Sequence, residues 1–169
     1  MGSLSEKHMK KVRLNIGSGN YYWPGFINCD AHSENSNLRA DCKKLPFDAD
    51  YADEIHAIHF IEHIGRLEVN NMLMDWARVL KPGGKIFIEV PCLNKISKMI
   101  IDGEKNIRMT TLGIYGDPMD KNPAMMHQWG YTVEELSDLL LQCGYKDVSC
   151  KEPIFHHPRR DMRIEAVKP

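Results

Sequence analysis

Nine residues near the start decide most of what this chain can become: Val12-Arg13-Leu14-Asn15-Ile16-Gly17-Ser18-Gly19-Asn20. A short apolar run ends in Gly-x-Gly, and a second run, Phe26-Ile27-Asn28-Cys29, ends on Asp30. An open parallel sheet builds a nucleoside pocket in this way. Glycines after the first strand admit a ligand close to the backbone, and an acid at the tip of the second strand takes ribose hydroxyls. A dinucleotide fold adds a third glycine three residues after the second, to seat a helix under the pyrophosphate. Tyr22 holds that position here, followed by Trp23 and Pro24. No helix starts there to receive a phosphate, so the turn favours a nucleoside without a pyrophosphate and disfavours a dinucleotide oxidoreductase.

The two runs are separated by only nine residues, Gly17–Gly25. A crossover between parallel strands normally takes a dozen or more. The first crossover helix is therefore expected to be shortened or absent, leaving one side of the sheet thinly covered. Further strands are expected near Asn37–Ala40, Glu54–Ile58 and Lys85–Val90, the last almost continuously apolar, as a central parallel strand is. Arg66–Leu80 reads as a helix with Val69, Met72, Leu73, Trp76 and Leu80 on one face, stopped by Pro82-Gly83-Gly84. A second helix is expected at Leu93–Ile101, followed by a glycine- and proline-punctuated stretch, Asp102–Pro123, that suits a lid. Thr132 and Glu135 form a capping box for a helix with Val133, Leu136, Leu139 and Leu140 inward and Gly144 at its end. Strands near Lys146–Cys150 and Arg163–Val167, with no helix between them, fit an antiparallel hairpin. The fold class is α/β: a Rossmann-like, mostly parallel sheet with an antiparallel C-terminal edge.

Size and charge narrow the function. The 169 residues suit one domain, 9–169, with residues 1–8 (Met-Gly-Ser-Leu-Ser-Glu-Lys-His) read as an appended leader and Met9 as the natural start. A formal net charge of −1 offers nucleic acid no global attraction. The five cysteines are odd in number and lack C-x-x-C spacing, which fits thiols in a reducing cytoplasm. No signal peptide and no long apolar run is visible, so no membrane association is expected.

Beyond the opening, an ordered series of motifs accumulates: Ala40-Asp41-Cys42-Lys43-Lys44-Leu45-Pro46-Phe47, then His59-Phe60-Ile61-Glu62-His63, then Arg78-Val79-Leu80-Lys81-Pro82-Gly83-Gly84-Lys85. His127-Gln128-Trp129-Gly130-Tyr131-Thr132 and a closing Arg163–Pro169 complete it. The chain resembles the class I S-adenosylmethionine-dependent methyltransferases, in particular a small, type 11-like subgroup opening with Leu-Asn-x-Gly-x-Gly and Pro-Gly-x-x-Asn-x-Asp. The resemblance covers nearly everything after residue 10. It implies S-adenosylmethionine as cofactor and S-adenosylhomocysteine as product. By the same resemblance Gly17, Ser18 and Gly19 lie along the methionine and ribose of the cofactor, and Asp30 bonds the ribose hydroxyls. Asp41 and Cys42 read the adenine, and the backbone at Ile58–His59 lines the methionine end. Asn15 replaces the acid that the family often carries there, weakening a contact to the cofactor amino group.

Each of these has a plainer alternative. Asp41 also suits the start of the turn before Leu45-Pro46, and Ile16 and Leu45 serve a nucleoside or the core equally well. Tyr21-Tyr22-Trp23 either cover the cofactor or fill the space of the missing helix. His59-Phe60-Ile61-Glu62-His63 matches a metallopeptidase zinc signature. A strand running into His59, however, keeps the two histidines off a common helical face. Otherwise Glu62 and His63 cap the next helix or act in catalysis. His127 is the candidate base for a substrate hydroxyl, with Tyr115 and Trp129 as substrate-binding candidates and Asp117 and Met126 on the same wall; His127 and Trp129 also suit packing. His156-His157-Pro158-Arg159-Arg160 reads as an exposed charged loop. Methyl transfer requires no metal. The Asn-Pro-Pro-Tyr type of sequence found in many DNA amine methyltransferases is absent after the fourth strand. That argues against a nucleobase amine. Because relatives that this chain resembles are often linked to sugar or surface-polysaccharide modification, the resemblance puts O-methylation of a small molecule or glycan first, with a second subunit (a homodimer) as one source of a cap. A non-catalytic nucleoside- or partner-binding module is the alternative, and a zinc metallopeptidase the remote one.

Overall fold

The computed structural model describes residues 11–120 and 122–169; the expected leader and Met9 lie outside the described residues. The opening apolar run forms β1 (Arg13–Ile16) and the second forms β2 (Ile27–Asp30), followed by β3 (Leu38–Arg39) and β4 (Ala52–Ile58). Then come helix α1 (Arg66–Val79), β5 (Leu80–Pro91), α2 (Leu93–Ile101), α3 (Thr111–Tyr115) and α4 (Val133–Gln142), closed by β6 (Lys146–Lys151) and β7 (Asp161–Val167). The seven strands form one sheet in the order β3-β2-β1-β4-β5-β7-β6. β1 to β5 run parallel, and β7 pairs antiparallel with both β5 and β6, giving the expected edge.

Two expectations shift. β5 begins at Leu80, because Leu80 pairs with Ala52 before the register slips around Gly83, at φ +76°, and pairing resumes at Glu54 with Lys85. The stretch Asp102–Pro123 is not all loop, since it contains α3.

Strand register sorts the sheet into two unlike faces. Leu14, Ile55, Ile86 and Ala166 share one face and continue into Ile16, Ala57, Ile88 and Ile164. These join Met72, Leu73 and Trp76 of α1 and Leu136 and Leu140 of α4 in one buried cluster. Trp76 Nε1 ties α1 down by donating to the Cys42 carbonyl at 2.8 Å. Thr132 caps α4 by accepting from the Glu135 N–H at 3.1 Å. The Glu135 carboxylate, expected to complete the capping box, instead accepts from Trp129 Nε1 and Arg66 Nε.

The opposite face carries Asn15, Asn28, His56, Phe87 and Glu165 in register. No helix joins β1 to β2, as the short connection predicts. Aromatic side chains cover the face instead. Trp23 stacks on Phe155 at 4.5 Å and meets Phe26 and His56 edge-on, while His56 stacks on Phe87 at 4.3 Å. Trp23 thus fills the space of the missing helix, whereas Tyr21 and Tyr22 stay exposed. The loop 152–160 is latched over this face by Glu89, whose carboxylate accepts from the Ile154 and Phe155 N–H groups at 2.8 and 3.1 Å. Arg163 donates to the same carboxylate at 2.9 Å, so a fully buried acid is both paired and hydrogen-bonded.

Candidate functional site

The C-terminal ends of β1, β2 and β4 open into a cleft of about 1110 Å³. It lies where the strand order turns back on itself, between β1 and β4, the usual ligand position in an open α/β sheet. The volume exceeds the roughly 300–1,000 Å³ of ordinary ligand pockets, leaving room for a nucleoside and a second molecule. A hollow of about 170 Å³ near Lys11 and Gly83 is flanked by the Lys81–Asp53 ion pair and is too small for either.

The glycine turn forms the floor. Gly17 has φ +65°, and a Cβ there would collide with the Phe60 ring, so this position tolerates only glycine. Gly19, at φ +50°, has nothing near its missing Cβ and leaves open space. Ser18 is buried, and its Oγ has no hydrogen-bond partner. An orphaned hydroxyl beside two bare glycines is the kind of cradle that a polar ligand completes.

Asp30 ends β2 beside this turn. Its Oδ2 accepts from the Gly19 N–H at 2.9 Å, and its Oδ1 accepts from the His32 and Ser33 N–H groups, both at 2.8 Å. Burial pushes this carboxyl upward, but the three N–H donors overrule it and hold it below the ordinary aspartate range. Oδ2, with a single donor, keeps lone-pair capacity for a ligand hydroxyl. Asn15 also lines the cleft; its Nδ2 donates to the Tyr21 carbonyl and Asn28 Oδ1, so its amide hydrogens hold the turn. Asp41 and Cys42 line the far side. Asp41 Oδ1 accepts from the Lys43 N–H at 2.9 Å, which is the turn-forming role. Its position on the cleft is compatible with the adenine-reading role as well. Cys42 is buried, and burial pushes its thiol up to about 12, which makes it an inert packing group. Ile16 and Leu45 lie in the core cluster, and Ile58, Phe60, Leu112 and Met125 supply the apolar lining.

His59 ends the β4 approach with a left-handed backbone, φ 52°. Its Nε2 lies 3.2 Å from Asp161 Oδ2, and its Nδ1 lies 3.0 Å from Glu62 Oε1. Burial alone would lower the imidazole, yet the Asp161 and Glu62 carboxylates push it up to about 9. Nε2 is hydrogen-bonded to Asp161 and Nδ1 is ion-paired with Glu62 without a hydrogen bond, and residues 61–63 form one tight 3₁₀ turn. The two-histidine helical face of a zinc peptidase is therefore absent here, and His59 is no free zinc ligand.

The chain brings His63 and His127 together instead, with ring centroids 4.9 Å apart. His127 lines the cleft, and burial lowers its pKa, leaving it neutral and able to accept a proton. Gly116 permits this placement: at φ +79° a Cβ would strike the Met125 carbonyl, and the His127 N–H donates to the Tyr115 carbonyl. Asp117 lines the cleft, but Tyr115 and Trp129 do not. Tyr115 is largely exposed, and Trp129 is turned to Glu135. In the 156–160 loop, Arg159 is an exposed charge, as expected. Arg160 is not: its guanidinium is largely buried against Asp161 and reaches the cleft.

Sequence reasoning missed Asn28, Phe60 and Asp161 as site residues. Asn28 accepts from Asn15 Nδ2 and the Trp23 N–H, fixing the glycine turn from the neighbouring strand. Its place in Pro24-Gly25-Phe26-Ile27-Asn28-Cys29-Asp30 was the available signal. Asp161 meets His59 from across the chain and left no local signal.

Residues 14–88 match the methyltransferase-domain family. No curated protein matches the chain. Among solved structures, an S-adenosylmethionine-dependent methyltransferase of Archaeoglobus fulgidus superposes with TM-score 0.67 at 17% identity, over 94% of this chain and 86% of that one. One from Methanosarcina mazei gives 0.64 at 17%, over 94% and 92%. A Thermotoga maritima protein, described as a possible histamine N-methyltransferase, gives 0.66 at 16%, over 95% and 84%. At such identities these structures speak for the fold, while the family match speaks for the domain. Residues 14–88 are thus similar to a methyltransferase domain, and the chain shares its fold with these S-adenosylmethionine-dependent methyltransferases.

Proposed function

We propose that the protein methylates a hydroxyl of a small molecule or glycan. The observation that carries the cofactor assignment is the cradle at the tips of β1 and β2. There Asp30 stands pinned by three N–H groups beside the open Gly19 and the orphaned Ser18 hydroxyl. When bound, S-adenosylmethionine supplies an activated methyl: the acceptor oxygen bonds to it as the carbon–sulfur pair returns to sulfur. Asp30 would hold the ribose hydroxyls, and Gly17, Ser18 and Gly19 the backbone-facing edge. Asp41 and the Cys42 N–H would read the adenine. Asn15 and the chain at His59 would face the methionine end.

This chemistry asks little of side chains beyond alignment and exclusion of water. The neutral His127 would take the hydroxyl proton, the role for which its low pKa and place on the wall suit it. Tyr115 and Trp129, both outside the lining, would reach the acceptor only as a rim. The five cysteines, all free, support a reducing, cytoplasmic setting.

Methyl-labelled S-adenosylmethionine incubated with sugars, glycans, phenols and amines tests this reading. Label on hydroxyl acceptors, reduced roughly 100-fold or more in His127→Ala, is expected, the usual scale of a general base. Label on amines or nucleobases alone would overturn O-methylation.

A further inference from the structure

One cluster at the cleft, with His63 and His127 in its wall and Glu62 buried beside them, is left unexplained by cofactor binding. Glu62, His63 and His127 each place one ligand atom within 4.8 Å of the other two. Glu62 is 1% exposed, and neither carboxylate oxygen has a hydrogen-bond donor. The nearby His59 Nδ1 contributes charge, at an angle too poor for a hydrogen bond. The His59 imidazolium balances the charge of this carboxylate, but its oxygens accept no hydrogen bond and keep lone pairs for a further cation.

The histidines are prepared for one. His63 Nδ1 lies 3.3 Å from the Met126 carbonyl. A carbonyl only accepts, so Nδ1 carries the proton and Nε2 presents its lone pair. That is the outer bond by which metal-bound histidines are usually oriented. Main-chain bonds fix the spacing of the cluster: the Glu62 carbonyl accepts from the Gln128 and Trp129 N–H groups at 2.7 and 3.1 Å. The His127 N–H is held by Tyr115. Two segments distant in sequence are thus clamped together at these three side chains.

We infer that Glu62, His63 and His127 bind a divalent transition-metal ion, zinc in the first instance, with at least one coordination position open to the cleft. One carboxylate and two imidazoles suit zinc and its neighbours better than magnesium or calcium. Three protein ligands with an open fourth position mark a reactive site rather than a structural one. Zinc–ligand bonds near 2.0–2.2 Å put tetrahedral ligands roughly 3.3 Å apart, so the three ligand atoms, now within 4.8 Å of one another, would draw closer on binding. These ligands differ from the pair that the His-x-x-Glu-His pattern suggests, because His59 is held by Asp161 and His127 takes its place.

The use of the ion rests on the methyl-transfer reading; the site itself does not. An acceptor hydroxyl in the open position loses its proton to cleft water under the ion's charge. Its oxygen then bonds to the methyl carbon as the carbon–sulfur pair returns to sulfur. In the loaded protein the His127 lone pair belongs to the ion, and the ion takes over the activation otherwise given to the free imidazole.

Chelator-treated protein titrated calorimetrically with zinc chloride, and spectroscopically with cobalt chloride, tests the site. The expected result is one saturable equivalent and visible cobalt bands of a nitrogen–oxygen site. Both should weaken in His63→Ala and His127→Ala by more than the roughly 10–100-fold that loss of an outer-shell partner costs. Circular dichroism and S-adenosylhomocysteine binding verify that each variant is folded, and the exposed His157→Ala is expected to bind normally. Absence of stoichiometric binding by folded protein, or binding that survives both ligand substitutions, would overturn the site. Normal zinc binding without S-adenosylhomocysteine binding would overturn the methyl-transfer reading and leave the site standing.

Discussion

Gly17 joins backbone strain and close packing at one residue, which makes it the sharpest test of the glycine turn. Its φ of +65° already disfavours any side chain, and the Phe60 ring occupies the place of a Cβ. A left-handed non-glycine residue costs about 1–3 kcal/mol, and overpacking adds about 1–3 kcal/mol. Gly17→Ala is therefore expected to lower the melting temperature by several degrees and to weaken cofactor binding. Gly19→Ala, with open space around it, should disturb stability less; equal losses in the two would contradict the Phe60 contact. The sequence pointed to both glycines and to Asp30, because strand ends and special backbone angles are written locally. Phe60 under Gly17, and Asp161 on His59, were illegible because a contact across the chain leaves no periodicity. The Glu62–His127 meeting was hidden in the same way, though both residues stood out singly.

The loop 152–160 behaves as an element that replaces helices on the polar face. The spacing of the first two strands exposed the missing crossover, and Trp23 was already a candidate filler. The partner Phe155 and the Glu89 latch were not readable, since a loop of histidine, proline and arginine looks like exposed charge. Glu89→Ala would strip the buried Arg163 of one partner and orphan the Ile154 and Phe155 N–H groups. Removing one member of such a pair costs about 3–5 kcal/mol. Hydrogen exchange at Ile154 and Phe155 is expected to accelerate along with that loss; unchanged protection would contradict the latch. Thr132→Ala at the α4 cap should cost only about 1 kcal/mol, measurable by denaturant titration. The cap was legible, but the turning of Glu135 toward Trp129 and Arg66 was not, because competing partners come from tertiary packing.

Across the whole molecule, the polar sheet face links folding to pH. Burial among Trp23, Phe26 and Phe87 pushes His56 down to about 4, against the pull of Glu54. The unfolded chain protonates this histidine near pH 6.5, while the folded one resists until about 4. Its contribution is therefore complete above pH 6.5 and lost as the pH falls through that window. At 1.36 kcal/mol per unit, up to ~3 kcal/mol is involved. Asp30 and Asp161, both held below the ordinary carboxylate range, extend the acid loss further. His56→Phe should flatten the profile between pH 6.5 and 4 in denaturant melts; an unchanged slope would place the acid sensitivity elsewhere. What the cleft holds, however, decides the function. Calorimetric titration with S-adenosylhomocysteine, with NAD as control, tests it most directly. Saturable one-site binding is expected, with no response to NAD. Asp30→Ala should weaken it about 10–100-fold, the worth of hydrogen bonds to a charged group. No binding by folded protein at millimolar ligand, or equal binding by Asp30→Ala, would contradict the account.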